Sequence, residues 1–546
     1  MKSSDTQNPL VKQIEGFEPL IMANDKHTFI RHAGDRDRAK FLPEKYLQDC
    51  PLSVLDAETV QLIQVLPLHG AIDHTRSATG SAALLRSLLQ PSTDLAYIHA
   101  RQASLREIAS NDTLRRALQD CVHEYSLGER ALYKFFNKGI YALFPYQDMR
   151  RARKAAVNIT GILQNLPAAE SDYLRVLLAQ LQAYKGSAID QMMQCAIYKT
   201  FAGLQAAKEV GLFTPKLKFI PRRFTLWLLA GPLVALAPHI QDKVGFDQLL
   251  PPLVAHGGYA WTGIYLLYSL FFKPARDTFN FIEPFRERCI GDDTFNRAID
   301  ALGSVDELLS WDTFAREGPH AAILPQVTDE SHHAFEATGL MNPVLAADKQ
   351  DFVPNNVHLQ GVQLTFISGP NSGGKTTLCK SIAQNQLLAQ AGGYVLAEKA
   401  TINIAEMIRY QAPKFDGLQD DEGRFGTELA RTRDIFLSTS PKSLVILDEL
   451  AEGTTYEERM QASLGIMGDF FTIGNNTVLV THNHSLVDRF MDEEKGQCLM
   501  TEFNGNEPTY RIVGGISRVS HASRIAEKIN FSSEDRRRYL KENGYV

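Results

Sequence analysis

Along this chain the apolar positions change their period, and the change divides it into regions. From Leu55 to about Phe219 they recur three and four residues apart, so that Leu84, Leu85, Leu88 and Leu89 share one helix face, as do Leu95, Ile98, Leu105 and Ile108. That spacing predicts long amphipathic helices. The same pattern resumes at Arg276 and runs through IDALGSVDELLSWDTFARE, from Ile299 to Glu317. After about residue 335 the period shortens. VQLTFISG (362–369), KSLVILDE (442–449) and NTVLVTHN (476–483) read as short buried strands separated by helical stretches, the alternation of an α/β domain. Residues 1–54 are mixed in character, broken by prolines and without a clear period, and read as a short N-terminal extension.

One stretch fits neither pattern. Phe224 to Gln241 and Gln248 to Phe272 contain no charged residue and are joined by the polar link DKVGFD. Each is long enough to span a bilayer, which takes roughly 20 apolar residues. Arg222 and Arg223 before the pair and Lys273 and Arg276 after it would keep both flanks in the cytoplasm. Pro232, Pro238, Pro251, Pro252, His239 and His256 interrupt the runs, and helices buried in a large helical domain are equally apolar. The residues leave both a membrane hairpin and a buried pair open.

Composition narrows the field only a little. With 546 residues, 44% hydrophobic and 22% charged, the chain is that of an ordinary globular protein of several domains. A net charge of −6 supplies no global basic field, so nucleic acid would have to be held by local patches. Candidates are Arg150, Arg151, Arg153 and Lys154, and Lys216, Lys218, Arg222 and Arg223, runs that equally suit a solvated helix face. The cysteines at 50, 121, 195, 289, 379 and 498 form no CxxC pair, and the polar N-terminus lacks the apolar core of a secretory signal. Both features point to reduced thiols and a cytoplasmic location.

The chemistry is concentrated in the α/β part. Gly369, Pro370, Asn371, Ser372, Gly373, Gly374, Lys375 and Thr376 fit the phosphate-loop pattern GxxxxGK(S/T), after an apolar strand and before a helical segment. Glycines let backbone N–H groups converge on phosphate oxygens, and the helix N-terminus adds partial positive charge. Lys375 would reach the β- and γ-phosphates of ATP, Thr376 would ligate Mg²⁺, and Thr377 completes the loop. A second apolar strand ends in Asp448, a metal-ligand candidate, and Glu449, a general-base candidate. A third ends in Thr481-His482-Asn483-His484, which places His482 like the switch histidine of ABC ATPases.

These residues resemble the MutS family more closely than a generic phosphate loop. GPNSGGKTT (369–377), AGGYVLAEKATI (391–402), DELAEGTTYEE (448–458), NPVL (342–345) and FVPNN (352–356) are similar to the family's runs around its nucleotide site. SATGSAALLRSLLQPSTDLAYIHARQASLREI (77–108) resembles its core and lever segment, and GISRVSHASRIAEKINFSSED (515–535) its C-terminal helix-turn-helix. The resemblance implies a multidomain protein, with an α-helical core/lever domain (55–334) followed by an α/β P-loop ATPase domain of ABC type (335–546). It implies a homodimer with two composite ATP sites, with Phe352 stacked on adenine and Asn371 touching the γ-phosphate or its water. Gly423 stands where the family carries a signature serine, and offers a backbone N–H but no hydroxyl.

Two further departures bear on function. The 54 residues before the core would be too few for mismatch-reading and connector domains, so direct mismatch sensing is not expected, and neither is a nuclease-like tail domain. The apolar pair 224–272 falls where a DNA clamp would lie. The favoured expectation is a DNA-binding ATPase of mismatch repair or recombination, held mainly by phosphate contacts. The alternative is an ATPase attached to the inner membrane through 224–272 that couples hydrolysis to that membrane hairpin or to an unidentified protein partner rather than to mismatch recognition.

Overall fold

The computed structural model describes residues 52–136, 145–163, 166–200, 203–207, 272–348, 351–370, 373–413, 423–450, 455–504, 507–516 and 529–545. Its first half is helical: α1 (Ala57–Leu62), α2 (Val65–Ile72), α3 (Ala78–Leu89), α4 (Leu95–Ser110), α5 (Asp112–Phe136), α6 (Pro145–Leu163), α7 (Asp172–Tyr184) and α8 (Ala188–Gln194). A hairpin of β1 (Ala196–Thr200) and β2 (Gly203–Ala207) follows, then α9 (Lys273–Asp277), a π-helical turn (Thr278–Ile282), α10 (Glu283–Ile290) and α11 (Asp293–Glu317). The second half alternates β3 (Gln326–Thr328), β4 (Phe335–Leu340), α12 (Pro343–Asp348), β5 (Asn355–His358), β6 (Leu364–Ser368), α13 (Lys375–Gln390), β7 (Lys399–Asn403) and β8 (Met407–Gln411). It continues with α14 (Gly423–Ser438), β9 (Ser443–Asp448), α15 (Tyr456–Ile473), β10 (Asn476–Val480), α16 (His484–Asp492), β11 (Gln497–Asn504), β12 (Glu507–Gly514) and α17 (Ser533–Glu542).

The described residues fall into two compact units that interleave along the chain. One comprises Thr75–Ala83 and Ser110–Leu309; the other takes the described residues up to His74, Leu84–Ala109 and everything from Ser310 onward. The first is a helical assembly. Leu114, Leu118, Tyr125 and Leu132 of α5 are buried at helical spacing, as are Leu174, Leu177, Leu178 and Leu181 of α7. Helices α5 and α6 cross closely, because a Cβ on Gly128 would lie 2.3 Å from the Ala155 methyl. The N-terminus of α3 is held by two buried carboxylates. Asp306 accepts from the Ser77 N–H at 2.8 Å and the Ser77 hydroxyl at 2.6 Å, and Glu129 accepts from the N–H groups of Ala78 at 2.9 Å and Thr79 at 2.8 Å.

The hairpin corrects an expectation, since the apolar period predicted helix to about Phe219. The strands pair antiparallel from Ala196↔Ala207 to Thr200↔Gly203, with Ile197 and Leu204 buried. Two strands of five residues are too short for a period of 2 to stand out beside flanking helices. Gly203, at φ +102°, takes a backbone conformation that suits glycine. The apolar pair at 224–272 lies outside the described residues except for Phe272, as do Lys216, Lys218, Arg222 and Arg223. No helix among the described residues is long and apolar enough to cross a membrane. Of the other basic run, Arg153 donates to the carbonyls of Met193 and Cys195 at 2.7 Å each and so serves the fold, while Arg150, Arg151 and Lys154 are exposed.

The second unit is built on a six-stranded sheet in the order β12-β11-β6-β10-β9-β8, parallel except where β12 pairs antiparallel with β11. Every residue of β6 and β10 is buried, as expected of central strands covered on both faces. Phe366, Val445, Leu447 and Leu479 pack with Met467 and Phe470 of α15 and Phe490 of α16. A second sheet, β3-β7-β4-β5, is mixed. The AGG run has a packing role. A Cβ on Gly392 would come within 2.9 Å of the Arg101 side chain, and one on Gly393 within 2.5 Å of the Trp311 ring.

Candidate functional site

Parallel pairing decides where the polar residues meet. Val480 of β10 is in register with Ile367 of β6 on one side and Asp448 of β9 on the other, so three central strands end at the same level. The glycine loop after β6, Glu449 after β9 and His482 after β10 therefore share one edge of the sheet. A crevice outside the carboxyl ends of parallel strands is where α/β sheets bind ligands.

The loop is shaped by close packing from below. Gly369 has φ +132° and Gly374 φ +89°, and a Cβ on Gly373 would come within 2.5 Å of the Thr501 hydroxyl on β11. Lys375, the first residue of α13, is 2% exposed. Its Nζ donates to the carbonyls of Gly369 at 2.6 Å and Pro370 at 2.8 Å. Burial pushes this ammonium below its ordinary range, against the pull of Asp448 and Glu449. Asn371 and Ser372 lie outside the described residues, and Thr377 is half-buried in the first turn.

The Thr376 hydroxyl donates to Asp448 Oδ2 at 2.9 Å. Two oxygen donors so placed suit a hard divalent cation such as Mg²⁺, which commonly takes one or two protein oxygens and fills its remaining positions with phosphate and water. The Tyr410 hydroxyl, on neighbouring β8, reaches the same Oδ2 at 3.5 Å. Burial, with Cys379 and Asp448 adding to it, pushes this phenol well above its ordinary range, so it stays protonated and can donate. Glu449 has φ +68°, a strained value for a residue with a side chain. Its N–H donates to the Val480 carbonyl at 2.9 Å. His482 Nε2 lies 3.5 Å from Glu449 Oε1, with the imidazole partly exposed. The next residue, Asn483, caps α16 by accepting from the Leu486 N–H at 3.2 Å.

Phe352 is half-buried in the segment leading into β5. Three residues on, Asn355 accepts from the Ile512 N–H at 2.7 Å and donates to the Tyr510 carbonyl at 3.1 Å, which fastens this segment to β12. Sequence reasoning missed Tyr510. It is 53% exposed, has φ +60°, and its Cδ1 would lie 3.7 Å from a Cβ on Gly374. An exposed aromatic in a strained conformation against the glycine loop suits the face of a bound base. Nothing in its neighbourhood in the sequence marks it. Gly423 is the first residue of α14.

A family model described as MutS domain III matches residues 61–311, and one described as MutS domain V matches residues 365–533. A DNA mismatch repair protein MutS from Haloquadratum walsbyi is 34% identical over 188 residues, covering 34% of this chain and 20% of that protein. An endonuclease MutS2 from Streptococcus suis is 28% identical over 236 residues, covering 42% of this chain and 29% of that protein. The DNA mismatch repair protein Msh3 of Mus musculus is 24% identical over 455 residues, covering 75% of this chain and 41% of that protein. The chain thus spans less than half the length of each of these relatives.

Proposed function

The chain belongs to the MutS family, and on that premise we propose that it binds and hydrolyses ATP as a dimer and uses the cycle to act on DNA. The observation that carries the reading is the meeting of Lys375, Thr376, Asp448, Glu449 and His482 at the ends of three adjacent parallel strands. That set suits nucleotide hydrolysis in a P-loop domain of ABC type.

In this reading the N–H groups of the loop and of the first turn of α13 hold the phosphates, and Lys375 leaves the loop carbonyls to neutralise the β- and γ-oxygens. Thr376 and Asp448 would hold Mg²⁺, which when bound would supply positive charge to the phosphates. Glu449 polarises the attacking water as general base, and His482, 3.5 Å from it, contacts the γ-phosphate side of the site. Phe352 and Tyr510 flank the adenine. The α14 N-terminus, at Gly423, completes the site of a second subunit with backbone N–H groups. DNA is held mainly through its phosphates.

ATP turnover by the purified chain is the direct test. Lys375→Ala should weaken nucleotide binding or its productive placement, and wild-type turnover in that variant would refute the loop assignment. DNA binding is measured separately, with and without ATP, on plain and branched duplexes. Affinity should fall steeply with salt as counterions are released. Salt-independent or absent binding would remove DNA from the proposal and leave the ATPase standing.

A further inference from the structure

The segment just before α1 docks on the nucleotide-binding sheet. Strand β8 is an edge of the six-stranded sheet, and an edge presents backbone groups that need partners. Here the chain supplies them. The Ile408 N–H donates to the Val54 carbonyl at 2.9 Å, and the Tyr410 N–H to the Thr59 hydroxyl at 3.1 Å. Val54 and Leu55 are each 1% exposed, so the segment is packed as core.

Its charged residues reach α14. Asp56 Oδ2 lies 2.7 Å from Arg431 Nη2 and 3.2 Å from Arg409 Nε, and Glu58 Oε2 lies 3.5 Å from Arg431 Nε. All four side chains are largely buried, from 13% exposed at Arg409 to 27% at Asp56. Charges removed from water to that degree are screened less by salt than exposed pairs. The residue after Arg431 is pinned as well, for Gln411 Nε2 donates to the Thr432 hydroxyl at 3.1 Å. Arg431 stands eight residues along α14 from Gly423, a rise of about 12 Å. Because a helix moves largely as a rod, the contacts at Arg431 and Thr432, with the packing of Phe425, Ile435 and Phe436, bias the placement of its N-terminus.

We infer that Asp56 and Arg431 are positioning residues for the helix that completes the partner's nucleotide site, so that the segment before the helical region acts on hydrolysis in the other subunit. The inference rests on the proposed ATPase function and adds its direction: the pair serves the site in trans and leaves nucleotide binding in cis untouched. Asp56 also caps α1, accepting from the Thr59 N–H at 2.7 Å. Asparagine can keep that cap while losing the charge, which makes Asp56→Asn the informative variant.

Asp56→Asn and Arg431→Met should each keep ATP affinity within about two-fold and lower kcat by roughly ten-fold, inside the loss of up to ~10²-fold that small misplacements cause. Arg431→Lys, which retains the charge but not the fork that reaches both Asp56 and Glu58, should fall between wild type and Arg431→Met. Dimers of one Asp56→Asn chain and one Lys375→Ala chain, isolated through two different tags, decide the direction. One composite site in such a dimer joins an intact loop to an intact partner helix. It should therefore turn over at about half the wild-type rate, well above either parent homodimer. Unchanged kcat in Asp56→Asn, or a defect that persists in the mixed dimer at the level of the Asp56→Asn homodimer, overturns the inference. A wild-type chain that does not hydrolyse ATP would instead refute the proposed function.

Discussion

Two helix N-termini in this molecule present the same backbone chemistry and are used in opposite ways. At α3 the free N–H groups and the positive end of the helix dipole are consumed internally, by the buried carboxylates of Glu129 and Asp306. At α13 the cap position is Gly374, which has no side chain, and no acidic residue occupies the first turn. One terminus is a structural staple, and the other is the one to which the proposed function assigns phosphate. The difference lies in whether the fold supplies its own anion. Glycine serves both ends, at Gly80 to let Asp306 approach and at Gly373 to let the loop settle on Thr501.

The largest expected effect concerns chemistry at the open terminus. Glu449→Gln should retain ATP affinity and lose turnover by roughly 10²-fold or more, as removal of a general base does. Steady-state rates beside equilibrium nucleotide binding would show it, and full turnover would take Glu449 out of its role. The next test separates the two glycines. A Cβ on Gly80 would fall 2.2 Å from Asp306 Oδ2, so Gly80→Ala should destabilise the chain by about 1–3 kcal/mol, as overpacking does, and spare nucleotide binding. Gly373→Ala should do the reverse, weakening nucleotide binding with a smaller change in unfolding midpoint. The same pair of effects in both variants would erase the distinction.

The two units should also differ in the sign of one pH dependence. Burial, with Glu129 adding to it, raises the Asp306 carboxyl to about 6, against the donors of Ser77 and Arg76. Between about pH 4 and 6 the folded chain keeps a proton there that the unfolded chain has released. Its contribution to stability therefore declines as pH rises through that window, by about 1.4 kcal/mol per pH unit. His333, in the sheet-bearing unit, is lowered to about 4 by burial, with the Gln386 hydrogen bond opposing. There the unfolded chain holds the extra proton between about pH 4 and 6.5, so stability rises with pH at a similar slope. Relative to wild type, Asp306→Asn should gain stability with rising pH and His333→Gln should lose it, in denaturant titrations at several pH values. Slopes of one sign would contradict the burial argument. The smallest effect is expected at Tyr410→Phe, whose bond to Asp448 is long at 3.5 Å. A loss of turnover beyond a few-fold would raise Tyr410 from a minor support to a principal one.

The sequence by itself determined the loop, the two acidic residues and the histidine. Each sits beside an unbroken apolar run, and such a run forces a buried strand whose end must present the next polar residue. It also determined the helical character of most of the first half, because period 3.6 is written in adjacent residues. Tertiary structure alone decided which distant segments meet. Thr501 beneath the loop, Tyr510 against Gly374, Glu129 at the start of α3 and Asp56 on Arg431 are brought together across separations of 50 to 375 residues. Periodicity says which face of an element is buried. It does not say against what, because any apolar face of matching shape would satisfy it, and the polar contacts follow only after that packing is settled.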